Sequence, residues 1–87
     1  MKQEQQKKSI NRLNRIEGQI RGLKKMIEDD IYCIDIISQT TSVRSALKGL
    51  EDALIENHLS TCVVSQIKNG KEKKAVDEII KVYKLKR

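Results

Sequence analysis

The side chains best equipped for chemistry are Cys33, His58 and Cys62, the only two cysteines and the only histidine of the 87-residue chain. His58-x-x-x-Cys62 sets an imidazole and a thiol four apart, hence on one face and one turn apart if the segment is helical. Two thiolates and an imidazole form a soft donor set, which selects Cu(I) or zinc over hard cations. Structural zinc usually takes four ligands, so three suit trigonal Cu(I) better; a water or a carboxylate completing a zinc site is the alternative. Singly, each cysteine reads as a small buried hydrophobe and His58 as a helix-surface histidine. The spaced trio is what points to metal or redox chemistry. Enzymatic chemistry is not indicated. His58 has no evident nucleophile or base partner, and no phosphate-binding glycine loop is present.

The elements that must position these residues are helices. Ile10, Leu13, Ile16, Ile20, Leu23 and Ile27 recur at 3- and 4-residue spacing, one stripe of a first helix that starts at Ser9 or earlier. It ends near Glu28–Asp30, where three acids oppose the negative end of the dipole. Ile36, Thr40, Val43, Leu47, Leu50 and Leu54 mark a long second helix. Its pattern runs on through His58 and Cys62 to Ile67, with Asn69–Gly70 as its stop. Ala75, Val76, Ile79, Ile80 and Val82 mark a short third helix. If the second helix is continuous, the 25 residues from Cys33 to His58 span about 37 Å at 1.5 Å per residue. Cys33 then reaches the His58/Cys62 pair of a second copy packed antiparallel, not its own. The midpoint lies near Ala46 and Leu47, where Ser42, Ser45, Ala46 and Gly49 are small enough to let two backbones approach. A two-fold crossing there generates two identical sites.

Composition supports an all-α single domain (1–87) that oligomerises. Aromatic residues are 2% of the chain, with no Phe, Trp or Pro, against 38% hydrophobic and 34% charged residues. A chain this small buries a limited share of its surface alone, and a second copy is the economical cover. Met1 is followed by polar residues, and no apolar run reaches the ~18 residues needed to span a bilayer. The expectation is a cytoplasmic protein with free thiols or metal ligands. Charge is segregated. Residues 1–25 carry eight basic and two acidic side chains, 26–65 two and seven, and 66–87 eight and three. Basic ends fit a polyanion, and they also fit a merely solubilising role. Lys7, Lys8, Arg12, Arg15 and Arg21 offer phosphate contacts on the first helix. With no bulky aromatic anchor, membrane binding is the weaker reading.

The run Asn11-Arg12-Leu13-x-Arg15-Ile16-x-Gly18-Gln19-x-x-Gly22, then Asp30-x-Tyr32-Cys33-x-Asp35 and Asn57-His58-Leu59-x-x-Cys62, resembles the copper-sensitive operon repressor family over nearly the whole chain. The resemblance implies a three-helix protomer, a helical hairpin plus a short third helix, forming antiparallel dimers and a dimer-of-dimers tetramer. It implies an operator-binding repressor, released by Cu(I), that controls copper-efflux genes. The ion, one per protomer, is held between subunits by Cys33 of one chain and His58 and Cys62 of another. Tyr32 and Glu78 match a pair that links the liganded histidine to the third helix. Arg12 matches a DNA contact, to which Arg15 is added here from its place on the same helix; Lys8 and Arg21 are further candidates. A second-helix arginine of the family is replaced by Gly49, and Arg44 and Lys48 are the nearby cations. Persulfide sensors of this type keep both cysteines and lack the histidine, so His58 argues for copper. The rival readings are a repressor of the same fold answering persulfide or another metal, and a helical interaction module with inert cysteines.

Overall fold

In the computed structural model, which describes residues 1–86, helices are the only regular elements among those residues. They are α1 (Gln3–Glu28), α2 (Cys33–His58), a π-helical turn (Leu59–Val63), α3 (Val64–Lys68) and α4 (Glu72–Lys86). α2, the π turn and α3 follow one another without a gap, so the long second helix expected up to Asn69–Gly70 is present. The chain forms one compact unit over Met1–Ala53 and a second from Leu54 onward.

The first helix starts well before Ser9, at Gln3, and Lys2 precedes it without a side-chain cap. It stops through a left-handed residue. Asp30 has φ 55°, its N–H donates to the Ile27 carbonyl (3.1 Å), and the Ile31 N–H donates to the Met26 carbonyl (3.0 Å). This paired C-terminal cap satisfies carbonyls that the helix leaves open. α3 ends the same way on Gly70, φ 73°, with Gly70 N–H to Ile67 O (3.1 Å) and Lys71 N–H to Gln66 O (2.7 Å). Of the three acids at the end of α1, Asp29 is offset by an ion pair with Lys25 at 3.3 Å.

Within the first unit, the covered positions are Gln5, Ser9, Ile16, Gln19, Leu23 and Met26 on α1, and Ile36, Gln39, Val43, Ala46, Gly49, Leu50 and Ala53 on α2. Their mixed 3- and 4-residue spacing is that of a two-helix seam. It differs from the apolar stripes read along the sequence. Ile16, Val43 and Leu50 are buried as expected, but Ile10, Leu13, Ile20, Ile27 and Leu47 are 41–64% exposed, and Thr40 is exposed too. Polar Gln5, Ser9, Gln19 and Gln39 take inward places because the apolar stripe is wider than one partner helix can cover. Two of them are poorly satisfied: Ser9 Oγ and Gln19 Oε1 are buried without a hydrogen-bond partner. The small-residue cluster is also divided. Ala46 and Gly49 are used against α1 inside the protomer, which leaves Ser42 and Ser45 exposed.

In the second unit α4 packs on α3 and the π turn. Ala75 is its buried anchor at 2% exposure, with Glu78 and Ile79 half-buried beside it. The other apolar residues read as that helix's stripe, Val76, Ile80 and Val82, are exposed.

Candidate metal centre and nucleic-acid face

His58 is the last residue of α2 and lies half-buried. Among the described residues its imidazole has no hydrogen-bond or ion-pair partner. Cys62 lies in the π turn that follows. Two local hydroxyls accompany that turn. Ser60 Oγ and Thr61 Oγ1 both donate to the Asn57 carbonyl, at 3.2 and 2.7 Å. Thr40 and Thr41 bond the Ile37 carbonyl in the same way inside regular α2, so such hydroxyls compete for a backbone acceptor without opening the helix by themselves. Single π turns recur at functional sites. The extra residue rotates Cys62, relative to His58, away from where a regular α-helix would put it. Thr61 Oγ1 also lies 3.7 Å from Cys62 Sγ.

Cys33 is the first residue of α2. Both cysteines are free and exposed. The structure therefore offers two accessible thiols and an unengaged imidazole, a donor set that fits a soft metal. It does not assemble them in one chain: among the described residues no three His, Cys, Asp or Glu side chains converge on a metal position.

Tyr32 immediately precedes α2, where its carbonyl accepts from the Asp35 and Ile36 N–H groups; its side chain is exposed. Glu78, on α4, accepts a hydrogen bond from Gln66 Nε2 at 2.8 Å. Gln66 was missed in the sequence. The pattern was extended from Cys62 to Ile67, yet Ile67 is exposed and Gln66, four residues after Cys62, is the one turned inward. The available signal was that same four-residue step continued once more. Gln66 Oε1 is buried without a partner.

The cations expected to meet DNA are all exposed: Lys8, Arg12, Arg15, Arg21, Arg44 and Lys48. Lys8 is partly neutralised by Glu4 at 3.6 Å. Arg12 and Arg15 sit together over the seam between α1 and α2, lining one cleft with Ile16, Gln19 and Ala46.

A family model described as the metal-sensitive transcriptional repressor matches residues 5–84. The chain belongs to that family. Members of the metal-sensitive repressor family act as transcriptional repressors and not as enzymes. The copper-sensing transcriptional repressor CsoR of Bacillus subtilis (strain 168) is 45% identical over 74 residues, which is 85% of this chain and 73% of that protein. The copper-sensing repressor RicR of Mycobacterium tuberculosis is 48% identical over 59 residues, 68% of this chain and 62% of RicR. Among solved structures, the copper-sensing repressor CsoR with Cu(I) from Geobacillus thermodenitrificans NG80-2 superposes with a TM-score of 0.93. It is 38% identical, and the match covers 98% of this chain and 88% of that one. The nickel-responsive regulator InrS matches less well, with a TM-score of 0.79 and 29% identity over 90% of this chain and 88% of its own. The all-helical class expected from the sequence is thus this repressor family's fold. No helix among the described residues is long and apolar enough to cross a membrane.

Proposed function

We propose that this metal-sensitive repressor answers Cu(I): without the ion it holds operator DNA, and with the ion it lets go, controlling copper-homeostasis genes in the cytoplasm. One observation carries the reading. Cys33 opens α2 and His58 closes it, and a helix of this length separates its ends by about 37 Å. A shared site therefore needs Cys33 of one copy and His58 and Cys62 of another, packed antiparallel. The exposed apolar residues of α1 and α2, Ile10, Leu13, Ile20, Ile37 and Leu47 among them, supply a surface for such an assembly, a dimer that pairs into a tetramer. The copper-sensing relatives support the choice of ion.

When bound there, Cu(I) supplies a soft bridge between two chains. The remaining work falls to the chain itself. His58 would use one ring nitrogen as ligand and keep the other as an N–H donor, which a nearby carboxylate would stabilise. Glu78, with Tyr32, is the partner proposed for that donor, and we take Glu78 to turn from Gln66 to reach it. The exchange transmits a change at the ligand to α4. On the DNA side, Arg12 and Arg15 meet the backbone, with Lys8, Arg21, Arg44 and Lys48 as outlying contacts.

Titrating the promoter DNA that this chain represses with apo and with Cu(I)-loaded protein tests the reading. A weaker Cu(I)-loaded complex is expected, and DNA must weaken Cu(I) binding by the same factor. Equal DNA affinities overturn it.

A further inference from the structure

Along the helical run that leads out of α2, one line of covered positions is Leu54, His58, Val63 and Gln66, with Thr61 half-buried behind its bond to the Asn57 carbonyl. The steps along that line are 4, 5 and 3 residues. A regular α-helix keeps one face with steps of 3 and 4, so the step of five takes in an extra residue. It falls where the π turn lies, from Leu59, directly after His58, to Val63.

The extra residue decides which side chain is covered. An uninterrupted α-helix gives the place one turn beyond His58 to Cys62, because four residues slightly exceed a turn of 3.6. Val63 holds that place, and Cys62 stays exposed. Downstream the frame is fixed by packing: α4 lies on the π turn and α3, Ala75 is buried, and Gln66 bonds Glu78 at 2.8 Å. Nothing local accounts for the turn. Leu59–Val63 contains no glycine or proline, and hydroxyls bonded to a carbonyl leave α2 regular at Thr40 and Thr41. π turns are rare, and they are frequent at functional sites.

We propose that the π turn is a one-residue register shift that sets Val63, not Cys62, on the covered face and so keeps the Cys62 thiol open to a second chain. Val63 is the positioning residue, filling the place the thiol would otherwise take. The proposal rests on the copper reading for what the thiol meets, and adds how that thiol is kept available.

Two single-residue deletions test it. Each removes the extra residue and brings Gln66 to seven residues after His58, about two turns of regular α-helix, so the frame that meets Glu78 is kept. Deleting Ser60 leaves Val63 four residues after His58, on the covered face, with Cys62 at three. Deleting Val63 leaves Cys62 at four, so the thiol, itself a small apolar group, takes the covered place. Alkylation by iodoacetamide is followed on metal-free, full-length protein carrying Cys33→Ser, so that one thiol reports. Rates on their high-pH plateau separate access from acidity. The parent and the Ser60 deletion are expected to react alike, and the Val63 deletion about tenfold slower, because a covered thiol reacts only after local opening. Equal rates in the two deletions overturn the proposal. Loss of helicity in either does so too, since a residue that only shifts register is dispensable to the packing on both sides. A chain of unaltered length with Cys62→Ala and Val63→Cys gives an independent reading: its thiol should react about tenfold slower than that of Cys62, and an equal rate overturns the assignment of Val63. Cu(I) affinity is titrated separately on the native chain, so a failure of the copper reading leaves the alkylation result standing.

Discussion

Replacing Gln66 by leucine separates the proposed relay from simple stability. Gln66 Nε2 donates to Glu78 Oε1 at 2.8 Å, and a hydrogen bond to a charged group contributes about 1.5–3 kcal/mol. Both side chains are half-buried, which puts this bond near the lower end, about 1.5 kcal/mol. The same glutamine carries a cost, because Gln66 Oε1 is buried with no partner, a penalty of about 1–3 kcal/mol. Leucine removes both together and keeps most of the volume, so folding stability should change by less than about 1 kcal/mol. Copper binding should not be neutral. If Glu78 must leave Gln66 to receive the liganded His58, the tie opposes copper, and its loss tightens Cu(I) by about tenfold, since 1.4 kcal/mol is a factor of ten. The assay is anaerobic competition against a chromophoric Cu(I) chelator, with thermal melts at matched protein concentration, because oligomer stability depends on it. Unchanged or weakened copper affinity in Gln66→Leu, with native stability, would refute the exchange of partners.

Three further outcomes are expected. His58→Ala should keep measurable Cu(I) affinity through the two thiolates yet lose copper-induced release of DNA; normal release by that variant removes His58 from the linkage. Co-expressing a Cys33→Ser chain with a chain carrying His58→Ala and Cys62→Ser should restore one intact site per heterodimer, read as half the native copper stoichiometry. No recovery would show that the three ligands do not come from two chains. Gly70→Ala should destabilise the protein by about 1 kcal/mol: a side chain at φ 73° costs about 1–2 kcal/mol, partly offset by a less flexible unfolded chain. Because nothing lies within 4 Å of its would-be Cβ, the cost is backbone strain alone, and a melt shifted down by about 4–8 °C checks it.

The candidate trio was legible because its residues are rare and its spacing is helical, and neither property depends on packing. Cys33 opens and His58 closes one helix, and the two-chain site proposed above rests on that placement. The helix ends were legible too, at Asn69–Gly70 from glycine and near Glu28–Asp30 from the acids. The acids were read through the dipole, whereas the stop itself is made by Asp30 in the left-handed region.

Residue order determined that the chain is helical, where the turns at Asp29–Asp30 and Asn69–Gly70 fall and which soft donors exist, because periodicity, caps and ligand chemistry are local properties. Tertiary structure decided which part of each broad apolar stripe is covered, since that depends on how two helices meet: it placed Gln19 in the α1–α2 seam and left Ile20 outside. It also tied Gln66 to Glu78 and laid Arg12 beside Gly49. Those last two contacts join residues 12 and 37 positions apart in the chain, a distance across which no local pattern carries information.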